Sequence, residues 1–284
     1  MDEVIIKSPA KINLSLDILG KRADNYHDIE TVMHKIELHD MIKIEDSDEI
    51  RINCNYNIPL KQNLVLKAVK LLKERYGIKR NVSITMEKNI PIGAGLGGGS
   101  SNAALALIGL NKLWNLNLKQ EELAELAKEI GSDVPFFITG NAAYAKGRGE
   151  LLERIEPVGF NVLLVNPGFE ISTKEAYENL DLSLTGKKLA SRQMLKCVKS
   201  KNIRKIAQFL HNDFESFTLA KYPVLKEIKD ALAANGALNA VMSGSGPTIF
   251  GIFEDEEKAK GAYERLKGSY DFVFLTKTLE KNES

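Results

Sequence analysis

The order of hydrophobic patterns along this 284-residue chain predicts an α+β fold. Three observations carry the prediction. Strand-like runs crowd the segment from Glu3 to Asn55, helical patterns then follow one another with no strand between them, and the chain closes strand, strand, helix, strand. A doubly wound parallel sheet would instead alternate strand and helix throughout.

Element by element, the β-branched runs VIIK, KINLSLDIL, DIETVMHKIEL, MIKIED and EIRINCN are separated by polar turns and suggest a meandering sheet. Asn63 to Tyr76 carries apolar residues at Leu64, Val65, Ala68, Leu71 and Leu72 and stops before Gly77, the signature of an amphipathic helix with a glycine stop. A strand at Val82 to Met86 leads into a glycine-rich loop, and a helix is expected from Ser100 to about Trp114. A second helix follows from Lys119 to Ile130, and a third, short one begins at Ser132. Ala142 to Lys146 and Glu150 to Ile155 are matched as strands about a turn at Gly147 to Gly149, and Val162 to Val165 reads as a short buried strand ended by Asn166, Pro167 and Gly168. Helices are expected at Lys174 to Leu180, Leu189 to Val198, Arg204 to Phe217 and Val224 to Ala234. The closing elements are Leu238 to Met242, Thr248 to Phe253, the helix Glu256 to Leu266, and Phe272 to Thr278. The least committed stretch, Pro157 to Phe160, is the expected boundary between lobes at 1–158 and 159–284. No repeat of fixed spacing is evident.

Composition excludes several classes of function. Hydrophobic residues make up 44% of the chain and charged residues 27%, an ordinary globular balance. No apolar stretch approaches the roughly 18–20 residues that a membrane helix needs. The N-terminal text lacks the pattern of a secretory signal, so a cytoplasmic protein is expected. Cys54 and Cys197 have no partner at metal-ligand spacing, and the four histidines include no HExxH pair, which argues against a disulfide framework or a zinc hydrolase. With 39 basic and 38 acidic side chains, no global field draws in nucleic acid or acidic lipid. Any anionic ligand must be held by local groups.

The segment Pro91 to Ala104, PIGAGLGGGSSNAA, has five glycines in seven residues before a small-residue helix. Glycine permits positive φ and close approach of the backbone to a ligand, and the first N–H groups of the following helix point unpaired at whatever lies in front of them. Such a loop, between a strand and a helix, reads as an anion cradle. Gly93 to Gly98 formally satisfies GxGxxG, but a dinucleotide fold requires a second strand with an acidic residue at its end, and here the next element is the helix KQEELAELAKEI. A P-loop would carry lysine after its last glycine, where this chain has Ser100. Nor does any HRD or DFG string accompany the loop, as a protein kinase would require.

Three blocks, PAKINL at Pro9 to Leu14, the glycine-rich segment at Pro91 to Ala104, and SGSGPTIF at Ser243 to Phe250, occur in one order across most of the chain. Together they resemble the superfamily of galactokinase, homoserine kinase, mevalonate kinase and phosphomevalonate kinase. Within it, RADNYHDIET at Arg22 to Thr31, GSDVPFF at Gly131 to Phe137 and AKGRGE at Ala145 to Glu150 are most similar to the branch acting on a cytidyl diphosphate in the non-mevalonate isoprenoid route. Two positions depart from that pattern. Asn25 stands where glycine is usual, a change that tolerates the left-handed backbone, and His34 stands where glutamine is usual.

The resemblance implies a two-lobed kinase fold with mixed sheets, helices packed on one side and the active site in the cleft between lobes. It implies ATP with Mg²⁺ as cofactors, and phosphorylation of the 2-hydroxyl of 4-diphosphocytidyl-2-C-methyl-D-erythritol. Another small alcohol of the superfamily (mevalonate, homoserine or a sugar) is the alternative acceptor, and a non-catalytic nucleotide-binding regulator the alternative class. Pro91, Gly93, Gly95, Gly97, Gly98, Gly99, Ser100 and Ser101 would hold ATP, with Ser100 or Ser101 either ligating Mg²⁺ or capping the helix. Asp133 would sit beside the acceptor hydroxyl as base, although Ser132-Asp133-Val134-Pro135 also reads as a capped helix start. Lys11 would keep Asp133 ionised, whereas strand alternation alone makes Lys11, Asn13 and Ser15 a solvated face. Asn13 would bind the polyol or diphosphate, and Tyr26 and His27 the cytosine. Thr173 and Tyr177 open a helix in which Tyr177 either stacks on cytosine or faces the core. The loop Ser243 to Thr248 would buttress the glycine loop, with Thr248 reaching phosphate. No nucleic acid or membrane partner is implied, and oligomeric state and metal ligands have no sequence signature here.

Overall fold

The computed structural model describes residues 3–56, 59, 63–186 and 189–281. The fold is mixed α+β, with two sheets. By their contacts the residues group into two units, one formed by Met1–Ala10, Leu38–Pro91 and Gly97–Gly140, the other by Lys11–Glu37, Ile92–Leu96 and Asn141–Ser284.

In the first unit β2 (His27–Ser47) pairs antiparallel with β4 (Asn81–Glu87), from Met41 opposite Glu87 to Ser47 opposite Asn81, and β3 (Arg51–Cys54) runs parallel to β4. Helix α1 (Leu64–Tyr76) buries Val65, Ala68, Val69 and Leu72, a stripe at helical spacing. Each large aliphatic side chain so buried contributes about 2 kcal/mol. The Asn63 carboxamide accepts from the N–H groups of Val65 and Leu66 at 3.0 and 3.3 Å, and Gly77, at φ 65°, ends the helix. Helix α2 (Gly98–Leu113) packs closely on β2, because a Cβ on Gly109 would lie 2.5 Å from Ile44 Cδ1. Helices α3 (Gln120–Ile130) and α4 (Val134–Thr139) complete the unit.

The second unit holds the sheet β11-β7-β10-β9, antiparallel throughout: β7 (Asn161–Asn166), β9 (Asn239–Met242), β10 (Ile249–Phe253) and β11 (Phe272–Lys277). Leu163, Val165, Ile249 and Phe253 of this sheet share a core with Leu225, Ile228 and Leu232 of α9 (Pro223–Ala234) and Ala259, Ala262 and Leu266 of α10 (Glu256–Leu266). In the same unit β5 (Ala142–Lys146) joins the N-terminal part of β2, from Thr31 opposite Ala145 to His34 opposite Ala142, and β6 (Leu151–Arg154) pairs with β5. The shorter helices are α5 (Thr173–Glu178), α6 (Ala190–Lys199), α7 (Ile203–Gln208) and α8 (Glu215–Lys221).

Three expectations are corrected. The runs before Asn55 form two long strands, β1 (Glu3–Lys21) and β2, followed by short β3, because the polar residues read as breaks are hydrogen-bonded inside the strands. Ser8 and Asp40, for example, stand between those runs, yet both are fully buried: the Ser8 hydroxyl donates to Ser101 Oγ at 2.8 Å, and Asp40 Oδ1 accepts the Asn89 and Ile90 N–H groups at 2.7 and 2.9 Å. The single helix expected over Arg204 to Phe217 is α7 and α8 flanking β8 (His211–Asn212), which runs parallel to Ser15 and Leu16. Asn212 causes the interruption, donating to the Met242 and Gly244 carbonyls at 2.7 Å each and accepting from Phe214 N at 3.0 Å. Finally, α2 starts at Gly98 instead of Ser100, since Gly97, at φ 69°, holds the N-cap position.

Candidate active site

In the second unit the late loop and the glycine loop interlock. The Ser243 hydroxyl donates to the Gly95 carbonyl at 2.9 Å and accepts the Asn13 N–H at 3.3 Å, and the Lys11 N–H donates to the Leu96 carbonyl at 2.9 Å. Gly95, at φ 75°, would place a Cβ 2.0 Å from the Ser243 carbonyl oxygen, so both the turn and the contact require glycine. Lys11 is buried. Its ammonium donates to Asn13 Oδ1 and lies 3.3 Å from where a Cβ on Gly244 would stand. The Asn13 amide donates on to Thr31 Oγ1 at 2.8 Å, which donates to the Ser15 carbonyl at 2.6 Å. Both faces of β1 are buried here, so the solvated face suggested by strand alternation is not present. Thr248 is fully buried, its hydroxyl accepting from Asn166 Nδ2 at 2.9 Å, and it belongs to the floor of the late loop.

In the first unit the glycine loop runs into α2. Gly97 N-caps the helix, Ser101 N donates to the Gly97 carbonyl at 2.9 Å, and the first turn carries no acidic residue to oppose an anion. Neither serine is the cap. Ser101 is buried, and its hydroxyl accepts from Ser8 Oγ at 2.8 Å. Beneath it is a polar network that sequence reasoning missed. The Lys88 ammonium pairs with Asp40 and donates to Asn102 Oδ1 at 2.9 Å, Asn102 Nδ2 donates to Asp40 Oδ2 and Ser8 Oγ at 2.8 and 2.9 Å, and Asp40 Oδ1 accepts the Asn89 and Ile90 N–H groups. Lys88, Asp40, Asn102, Ser8 and Ser101 are all buried, so each hydrogen bond is needed to offset the cost of leaving water. The network fixes the first turn of α2. Its one sequence signal was a lysine placed between a strand and the glycine loop.

Asp133 occupies the N-cap position of α4 at φ −84°, ψ −12°, and its carboxylate makes no capping bond. Pro135 in the first turn starts the helix without one.

Tyr26, His27, Thr173 and Tyr177 all lie in the second unit. Asn25, at φ 65°, turns the chain ahead of Tyr26, confirming that asparagine fills a left-handed position there. Tyr26 is exposed at 55%, while His27 stacks on Tyr177 with ring centroids 4.5 Å apart and 14° between planes. Tyr177 also meets Phe214 edge-on at 4.9 Å, so it both packs on the core and supports His27. Burial first, then the Lys21 charge, holds the His27 imidazole below its ordinary pKa, which leaves it neutral at pH 7 with one donor and one acceptor. Thr173 Oγ1 is 3.2 Å from Ser245 Oγ, which links α5 to the late loop.

His34 is explained by its surroundings. It is fully buried, with Nδ1 2.8 Å from the Lys35 carbonyl and Nε2 accepting from Val158 N at 3.1 Å. That pattern demands the neutral ring, and burial lowers its pKa to about 4. Among the described residues Asp17, His211 and Asp213 bring ligand-type atoms within 4.8 Å of one another. Their oxygens close local structure instead, since Asp213 accepts from Ile18 N, Gly186 N and His211 as Asp17 does from α6. Neither cysteine forms a disulfide, and among the described residues no helix is long and apolar enough to cross a membrane.

With this geometry in place, residues 63–141 match the GHMP kinases N terminal domain and residues 194–271 the GHMP kinases C terminal domain. The chain is 45% identical over 283 residues to the 4-diphosphocytidyl-2-C-methyl-D-erythritol kinase of Thermoanaerobacter pseudethanolicus, covering 99% of this chain and 98% of that protein. It is 43% identical to that of Clostridioides difficile, covering 99% and 97%. A solved 4-(cytidine 5′-diphospho)-2C-methyl-D-erythritol kinase superposes with a TM-score of 0.84 at 30% identity, covering 97% of this chain and 99% of that one. A homoserine kinase from Cytophaga hutchinsonii shares the fold, with a TM-score of 0.79 at 18% identity over 99% and 95%.

Proposed function

This chain belongs to the 4-diphosphocytidyl-2-C-methyl-D-erythritol kinase family of GHMP kinases, and we propose that it transfers the γ-phosphoryl group of ATP to the 2-hydroxyl of that cytidyl diphosphate. The route served is non-mevalonate isoprenoid synthesis, in the cytoplasm. Gly99 carries the ATP half of the reading. Its φ is not positive, and a Cβ built on it meets nothing within 4 Å, so neither the backbone nor the neighbouring chain requires glycine there. Space at the first turn of a helix whose dipole favours an anion is what a triphosphate requires. The donors also fit Mg²⁺-ATP: the N–H groups at the start of α2 suit phosphate oxygens, and Ser100 offers a hydroxyl to the metal. When bound, Mg²⁺ neutralises charge on the β- and γ-phosphates.

Phosphoryl transfer to an alcohol then needs an aligned hydroxyl, a group to receive its proton, and positive charge near the moving phosphoryl. In this proposal Asp133 takes the proton as the 2-oxygen attacks the γ-phosphorus and ADP departs. Lys11, held by Asn13, supplies the positive charge that the transfer requires. Asn13 binds the polyol. His27, supported by Tyr177, hydrogen-bonds the cytosine edge, Tyr26 lines the base, and Thr173 fixes α5 beside the late loop. The test is ³¹P NMR of the product formed from Mg-ATP and 4-diphosphocytidyl-2-C-methyl-D-erythritol. A new phosphomonoester with the diphosphate intact is expected, and a lengthened diphosphate chain would refute the assignment.

A further inference from the structure

We propose that Arg148, whose guanidinium lies over the Tyr26 ring, is the side chain that takes the diphosphate of the cytidine-bearing substrate. This rests on the cytidine reading above and deepens it, for none of the roles assigned so far gives those phosphates a cation, and Arg148, half-buried in the AKGRGE block, has been given none. Arg148 is the tip of the turn between β5 and β6, where Gly147 and Gly149 sit at φ 69° and 106°. The Ile29 N–H donates to the Gly147 carbonyl at 2.7 Å, which fastens this turn beside the residues that follow His27. The guanidinium carbon of Arg148 lies 4.8 Å from the centroid of the Tyr26 ring.

The turn fixes the backbone of Arg148 and places its head group in a long ion pair with Glu150 that leaves the hydrogen-bond donors uncommitted. Glu150 Oε2 accepts the Arg148 backbone N–H at 2.6 Å, while Oε1 lies 3.7 Å from Nε, too far for a hydrogen bond. Among the described residues the guanidinium donates no hydrogen bond, so a planar fork of donors stands over an aromatic ring with none committed. That fork fits a phosphate two bonds at a time. The other nearby arginine is already engaged: Arg22 pairs with Asp24 at 3.2 Å and with Asp28 at 2.7 Å. Lys21 adds positive potential beside His27, and Asp24 and Glu150 are the acids that face Arg148. A chain of net charge +1 attracts a diphosphate only through such local groups.

The experiment is calorimetric titration of the full chain with cytidine 5′-diphosphate and with cytidine, for the unaltered protein, Arg148→Met and Arg148→Lys. Arg148→Met should raise the Kd for cytidine diphosphate at least fivefold and change that for cytidine less than twofold. Arg148→Lys should recover part of the loss, because it restores charge without the fork. Raising salt should weaken cytidine diphosphate binding to the unaltered protein more than to Arg148→Met. In turnover, KM for the cytidyl diphosphate substrate should rise by a larger factor than kcat falls. Thermal melting checks the fold, and Arg148→Gln is read in the same way should Arg148→Met melt early. Binding of cytidine diphosphate within twofold of the unaltered protein, or equal weakening of both ligands, overturns the role of Arg148. Failure of the unaltered protein to bind cytidine diphosphate overturns instead the cytidine reading on which it rests.

Discussion

Ser243 and Gly95 are joined twice, by the hydroxyl-to-carbonyl hydrogen bond of 2.9 Å and by an approach so close that a Cβ on Gly95 would stand 2.0 Å from the Ser243 carbonyl oxygen. The obstruction is backbone, which cannot swing away as a side chain would. Gly95→Ala should therefore displace the glycine loop. A positive-φ alanine alone costs about 1 kcal/mol, and the clash adds to it. Chemical denaturation should show a loss of roughly 2 kcal/mol, accompanied by at least tenfold weaker ATP binding.

Gly99→Ala should behave in the opposite sense for stability. The new methyl group meets no neighbour, and alanine is favoured over glycine within a helix by up to about 1 kcal/mol. Melting temperature should hold or rise while ATP affinity falls, since the methyl occupies space assigned to the triphosphate. A variant that is more stable and binds ATP undiminished would show that Gly99 has no part in binding.

Asp133→Ala should remove most of kcat while leaving ATP affinity nearly unchanged, because the carboxylate is assigned to the acceptor's proton and makes no capping bond in α4. Parallel measurements of steady-state turnover and ATP titration check this. Loss of ATP binding in that variant would point to a structural role.

His34 should leave a mark on the acid side of the stability profile. Its pKa falls from 6.5 to about 4 on folding, so the folded state resists a proton that the unfolded chain accepts. The stabilisation is therefore complete above pH 6.5 and is lost progressively as the pH falls towards 4, by about 3 kcal/mol in all. His34→Gln keeps a donor for the Lys35 carbonyl and an acceptor for Val158 N without a titrating ring. Unfolding free energies measured from pH 7.5 to 4 should fall less steeply in the variant than in the unaltered protein.

Much of this was legible in the sequence where a local rule governs. The Asn63 cap, the Gly77 stop, the strand pair about Gly147–Gly149 and the helix Glu256–Leu266 each depend on residues near one another in the chain. What escaped depends on distant partners. A polar residue in a strand reads as a break until its partner is known, which is why Asp40 hid the continuity of β2 and Asn212 hid a strand inside an expected helix. The Lys88–Asp40–Asn102 network escaped for the same reason, since its members lie 14 to 62 residues apart. Gly99 and Gly95 looked alike in sequence, and only the surroundings of each separate the glycine that a contact demands from the one that leaves room.

The most direct test is ADP release with Mg-ATP against four acceptors supplied in turn: 4-diphosphocytidyl-2-C-methyl-D-erythritol, mevalonate, homoserine and galactose. Turnover with the cytidyl diphosphate, at a kcat/KM at least a hundredfold above that for any of the others, is the predicted result. No turnover with it, or a preference for another of the four, would contradict the account.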